Sequence, residues 1–157
     1  MSEPFAVTLA RSQELALRTA LRGSNAVSEK FGLTLTEPEI RALSEARQEA
    51  LRYEGRVEIG EGVLPKLAFA FCDSPHIAPE AYASTLRELM ELFYAFQNDA
   101  EDAFSDDELI EAMRRVFDGR AQGSLRYLEN LTPGDLWRAL EGDAGQDEPW
   151  EDTDDDP

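Results

Sequence analysis

Cysteine and histidine each occur once in the chain, as Cys72 and His76. A lone cysteine excludes an internal disulfide and a thiolate metal cluster within one chain, and it suits a reducing compartment. The chain has no histidine pair for zinc, no glycine-rich phosphate loop and no Ser-His-Asp set that one histidine could anchor. Long hydrophobic runs are missing too. The most apolar stretch, Val63 to Cys72, is interrupted by Pro65 and Lys66 and has about half the length needed to cross a bilayer. Glu3 lies in the first few residues and no apolar segment of signal-peptide length follows, so neither export nor membrane insertion is expected. The cytoplasm is the expected location.

The composition is that of a packed, water-facing protein. Of the 157 residues, 42% are hydrophobic and 31% charged, with a mean hydropathy of -0.45. This length accommodates one domain with a real core, expected over residues 1–142. The net charge of -18 is unevenly placed: residues 1–60 carry 9 acids and 8 bases, and residues 61–157 carry 24 acids and 7 bases. Eight of those acids fall in residues 143–157, where Trp150 is the one large apolar side chain, so a disordered acidic tail is expected there. A negative field of this size repels nucleic-acid phosphates, which argues against direct DNA or RNA binding, and it steers basic proteins inward.

Helix signals dominate the rest of the sequence. Thr36 with Glu39, Ser105 with Glu108 and Thr132 with Asp135 have capping-box spacing. Each pair is flanked by apolar residues placed to staple the helix start: Leu35 and Ile40, Phe104 and Leu109, Leu131 and Leu136. Pro133 sits at a first helical position, where its missing N–H costs nothing. Apolar residues recur at helical spacing in Tyr82-Leu86-Leu89-Phe93-Phe96, in Leu109-Ile110-Met113-Val116-Phe117, and in Ile40-Leu43-Ala46-Ala50-Leu51. A further helical pattern covers about residues 8–31, with Gly23-Ser24-Asn25 placed to kink or break it. Gly32, Gly55 and Gly119 stand where helix C-termini favour glycine. Leu64 to Cys72 is apolar nearly all round and reads as a short helix surrounded by others. Val57, Glu58 and Ile59 alternate like a strand but are too few for a sheet, so an extended loop is predicted. The fold class is all-α, an irregular bundle of six or seven helices.

Two places bring chemistry-bearing residues close in sequence. In Cys72-Asp73-Ser74-Pro75-His76 a thiol, a carboxylate and the imidazole lie within five residues, although catalysis needs them to meet in space beside an oxyanion site. A packed Cys72 followed by a proline-stopped turn explains the same residues. Asp118 to Glu129 follows the twelve-residue calcium loop in its first Asp, in Gly123 at the sixth position and in Glu129 at the twelfth, with Ser124 between. Arg120 stands at the third position, where a ligand belongs, and this weakens Asp118, Ser124 and Glu129 as a metal site. With 33 acids in the chain, carboxylate pairs at other spacings carry no information about hydrolysis.

The segments Gly60-Glu61-Gly62-Val63-Leu64-Pro65-Lys66-Leu67, Phe71-Cys72-Asp73-Ser74-Pro75 and Ser105-Asp106-Asp107-Glu108-Leu109-Ile110 resemble a family of small uncharacterised proteins from clostridia and related bacteria. The resemblance spans about residues 5–130. It implies a bacterial cytosolic setting and brings no activity, cofactor or catalytic residue with it.

These observations lead to the expectation of a non-enzymatic interaction or regulatory protein without a cofactor, which meets a basic partner protein through its acidic surface. The alternative is a small-molecule or metal-binding protein built on the 118–129 loop or on Cys72, Asp73 and His76.

Overall fold

A computed structural model describes the backbone of residues 3–142 and the side chains of residues 11–142; the acidic tail expected at 143–157 lies outside the described residues. The fold class is all-α, with no strand among the described residues. Seven α-helices follow one another there: α1 (Glu3–Ser28), α2 (Glu37–Glu54), α3 (Leu64–Phe71), α4 (Tyr82–Asp99), α5 (Asp106–Asp118), α6 (Leu125–Glu129) and α7 (Pro133–Glu141), with short 3-10 turns at Glu29–Phe31 and Pro79–Ala81. The described residues divide into two compact units, up to residue 94 and from residue 95 on, and the boundary falls inside α4.

In the first unit α1 packs on α2 and α3. Leu17 and Leu21 from α1, Ile40 and Leu43 from α2, and Leu64, Leu67 and Phe71 from α3 are all buried. Gly23 does not break α1, which runs on to Ser28. The reason is local. Ser24 Oγ donates back to the Leu21 carbonyl, and the Asn25 amide grips the backbone of Leu35 from both sides, accepting from its N–H at 2.8 Å and donating to its C=O at 3.0 Å. Two side-chain anchors thus offset the roughly 1 kcal/mol that glycine costs in a helix. Helix α2 starts at the Thr36–Glu39 capping box and stops at Gly55, whose φ of 68° reverses the chain. Leu35 and Ile40 are both buried, as a staple across that cap requires.

Helix α3 departs from its sequence reading. It buries Leu64, Leu67, Ala68 and Phe71, but Phe69 is 68% exposed, so the helix has a solvent face and is not surrounded. Tyr82, Leu86, Leu89 and Phe93 of α4 are buried as their spacing predicts. The Tyr94 ring is also buried and meets Phe93 edge to face at 5.9 Å.

In the second unit α5 packs on α7 and α6. Leu109, Met113, Phe117, Leu128 and Leu136 form its core. Capping boxes at Ser105–Glu108 and Thr132–Asp135 open α5 and α7. The Phe104 ring stacks on Trp137 with centroids 4.2 Å apart, tying the start of α5 to α7. Arg115 Nη1 donates to the carbonyls of Ala139 and Leu140 at 3.0 Å, satisfying acceptors that the end of α7 leaves open. Gly119 closes α5 without a left-handed φ; a side chain there would press against the Arg115 carbonyl oxygen at 2.8 Å. Close approach, not φ, is what asks for glycine at this position.

Candidate functional site

The cysteine-histidine turn places its members differently. Cys72 is buried at the end of α3, and its Sγ lies 3.4 Å from the Phe69 carbonyl, whereas Asp73 and His76 are exposed. Ser74 is buried, and its Oγ accepts from the His76 backbone N–H, which shapes the turn.

In the 118–129 stretch, Asp118 ends α5 and accepts from Arg114 Nε at 2.6 Å, a helical (i, i+4) pair. Ser124 caps α6 by accepting from the Tyr127 N–H, and Glu129 is exposed at the end of that helix. Between them Gln122 and Gly123 take φ of 48° and 84° in a tight turn closed by Gly123 N–H to Phe117 C=O. No group of three or more His, Cys, Asp or Glu side chains among the described residues is placed to hold a metal ion.

The most structured polar arrangement is one that sequence reasoning did not single out. Position 47 of α2 lies on the helix face that carries Ile40 and Leu43, and Arg47, not Ala46, is the residue buried there. A buried guanidinium needs a partner. Gly55 turns the chain, the Arg56 N–H bonds the Leu51 carbonyl, and the next residues run extended as the alternation predicts. That path points Glu58 inward, where its Oε1 accepts from Arg47 Nε at 2.9 Å and its Oε2 accepts from the Val63 N–H at 3.1 Å. Arg47 Nη2 donates to the Gly60 carbonyl at 3.0 Å. Gly62 (φ 73°) passes so close to this pair that a methyl group would overlap the Glu58 carboxylate. The loop is thereby clamped onto α2 by one ion pair and two backbone bonds.

The clamp inverts the usual sorting of side chains. The carboxylate is turned in, while Val57 is 87% and Ile59 82% exposed, beside Tyr53 at 87%. Burying a Val or Ile side chain would stabilise the fold by about 1.5–3 kcal/mol, which the loop forgoes. The Tyr94 hydroxyl is buried near the ion pair without a well-formed hydrogen bond, and its pKa is raised chiefly by burial and further by the Glu58 carboxylate. Burial likewise raises Tyr82 to about 12, an effect the nearby Ser28 hydroxyl only partly offsets.

Beside the clamp, α1 and α2 leave a recess of about 420 Å³. Gln13 and Glu14 of α1 line it together with Gln48, Leu51 and Arg52 of α2, and Arg56, Val57 and Glu58 of the loop complete the lining. Its acids are already engaged: Glu14 accepts from Arg18 at 2.6 Å and, more weakly, from Ser44, and Glu58 is held by Arg47. The side chains of Gln13, Gln48 and Arg52 make no hydrogen bond or ion pair among the described residues.

Residues 20–143 match a family of unknown function, DUF6323. The chain belongs to that family. No curated protein and no solved structure matches the chain. The family match takes in the whole clamp, from Arg47 to Val63, and the second unit to residue 143, while Gln13 and Glu14 of the recess precede it. Family membership names no substrate or partner. No helix among the described residues is long and apolar enough to cross a membrane.

Proposed function

We propose that the chain is a non-enzymatic regulatory protein of the bacterial cytosol that binds a basic partner protein through the acid excess of its second unit. The supporting observation is a cation-free stretch: from Ala95 to Met113 there are seven acids and no lysine or arginine. All seven, Asp99, Glu101, Asp102, Asp106, Asp107, Glu108 and Glu111, are exposed. Three of the five arginines further along pair with acids of their own helices: Arg114 with Asp118, Arg115 with Glu111, and Arg138 with Asp135. Such a surface attracts a complementary cationic one over about one Debye length, ~8 Å at physiological ionic strength.

The test is affinity capture from lysate of the source cells, at low and at high salt, with the native chain and with an E101Q/D107N/E111Q variant. The reading expects one basic protein to be recovered at low salt, lost at high salt and depleted by the variant. Recovery of no partner, or equal recovery by the variant, contradicts it. Circular dichroism of the variant separates loss of binding from loss of fold.

A further inference from the structure

The α1–α2 recess differs electrically from the rest of a chain of net charge -18. Its lining carries Arg47, Arg52 and Arg56 against Glu14 and Glu58, and both of those acids are already matched to arginines. What is left facing the space is cationic and rich in N–H donors: the guanidinium of Arg52 and the side-chain amides of Gln13 and Gln48. Gln48 and Arg52 are four residues apart on α2 and so share one helix face. Leu51 and the exposed Val57 add an apolar strip along the same recess. Its volume of about 420 Å³ lies within the range of small-molecule sites.

We propose that this recess binds a small amphiphilic anion, with a carboxylate or phosphate head on Arg52, Gln48 and Gln13 and a short aliphatic stem against Leu51 and Val57. An arginine fork meets either head group in two parallel hydrogen bonds. The stem takes water away from Val57, which accounts for an apolar side chain held rigidly outward by the Arg47–Glu58 clamp. The site is independent of the second unit's partner, so either assignment stands or falls alone.

The experiment is a calorimetric and NMR titration of the full chain with four probes sharing one stem: hexanoate, hexyl phosphate, hexanol and hexylammonium. Saturable binding of at least one anion is expected, with shifts confined to residues around Gln13, Gln48, Arg52 and Val57, and with no binding of the alcohol or the amine. A preference between the two anions identifies the head group. R52Q, at an exposed position, leaves the melting temperature unchanged and weakens the preferred anion about tenfold. Propanoate in place of hexanoate weakens binding by a similar factor, because the shorter stem leaves Val57 wet. Absence of saturable binding by both anions, equal binding of hexanol, or unchanged affinity in R52Q overturns the proposal.

Discussion

Residues 1–94 carry 14 acids against 10 bases, a net of -4, whereas residues 95–157 carry 19 against 5, a net of -14. The nearly balanced unit takes charge inside, burying Arg47 against Glu58 and using the pair to hold a loop in place. The acidic unit keeps its charge on the surface and is held together by leucine, methionine and aromatic packing, capped helix starts and short intrahelical ion pairs. The contrast teaches that net charge alone does not locate the polar chemistry of this protein. The unit with the smaller imbalance has the organised site, and the unit with the larger one has an exposed field.

Several changes probe this contrast, and the largest effect is expected where charge is buried. Glu58→Ala strands Arg47 without its carboxylate and frees the Val63 N–H, at a cost of about 3–5 kcal/mol in urea unfolding. The double change R47M/E58L removes both charges and recovers most of that loss. If E58A costs no more than an exposed ion pair, the clamp does not hold the loop. Gly62→Ala combines a left-handed φ with overlap of the same carboxylate and resembles E58A in its effect.

Trp137→Ala probes the other unit. It removes the stack on Phe104 and part of the α5–α7 contact, for about 2–3 kcal/mol. Hydrogen exchange read residue by residue separates the two cases. E58A speeds exchange first in α2 and α3, and W137A first in α5 and α7. A uniform change for both variants means that the units do not respond separately.

A smaller effect comes from alkali. Tyr82 and Tyr94 ionise less readily in the folded chain than at the ordinary value of 10.0. Their contribution to stability is therefore fully present below pH 10 and is lost as pH rises through the folded value, about 12 for Tyr82. Urea midpoints are expected to fall above pH 10, and the fall is shallower in Y82F and Y94F. Equal slopes in the native chain and both variants contradict the assignment. Smallest are the caps: Thr36→Ala in the first unit and Ser105→Ala or Thr132→Ala in the second each cost about 1 kcal/mol.

How much of this the sequence disclosed depended on whether the signal was local. Capping boxes at Thr36, Ser105 and Thr132 involve residues three apart and a backbone they themselves shape, so their reading carries directly into the fold. Gly23 misled because the anchor that keeps α1 intact, Asn25 on Leu35, joins residues ten apart around a turn. Phe69 misled because eight residues of apolar composition do not reveal which side of a helix lacks a neighbour. The site was hidden for a related reason. Arg47 interrupts the buried stripe of α2, and Glu58 sits between two valine-like neighbours, yet the eleven-residue separation of the pair matches no motif. A cation on an apolar helix face was the available clue, and it marks a position that must find a carboxylate. Cys72 and His76 show the converse, since nearness in sequence left the thiol buried and the imidazole exposed.

The central claim, that the exposed acids of the second unit form a cationic-protein surface, is tested most directly by amide NMR of the full chain titrated with an oligolysine peptide. The account predicts shifts at residues 99–111, none in α1 to α3, and their disappearance on adding salt. Shifts centred on the first unit, or shifts that persist at high salt, would contradict it.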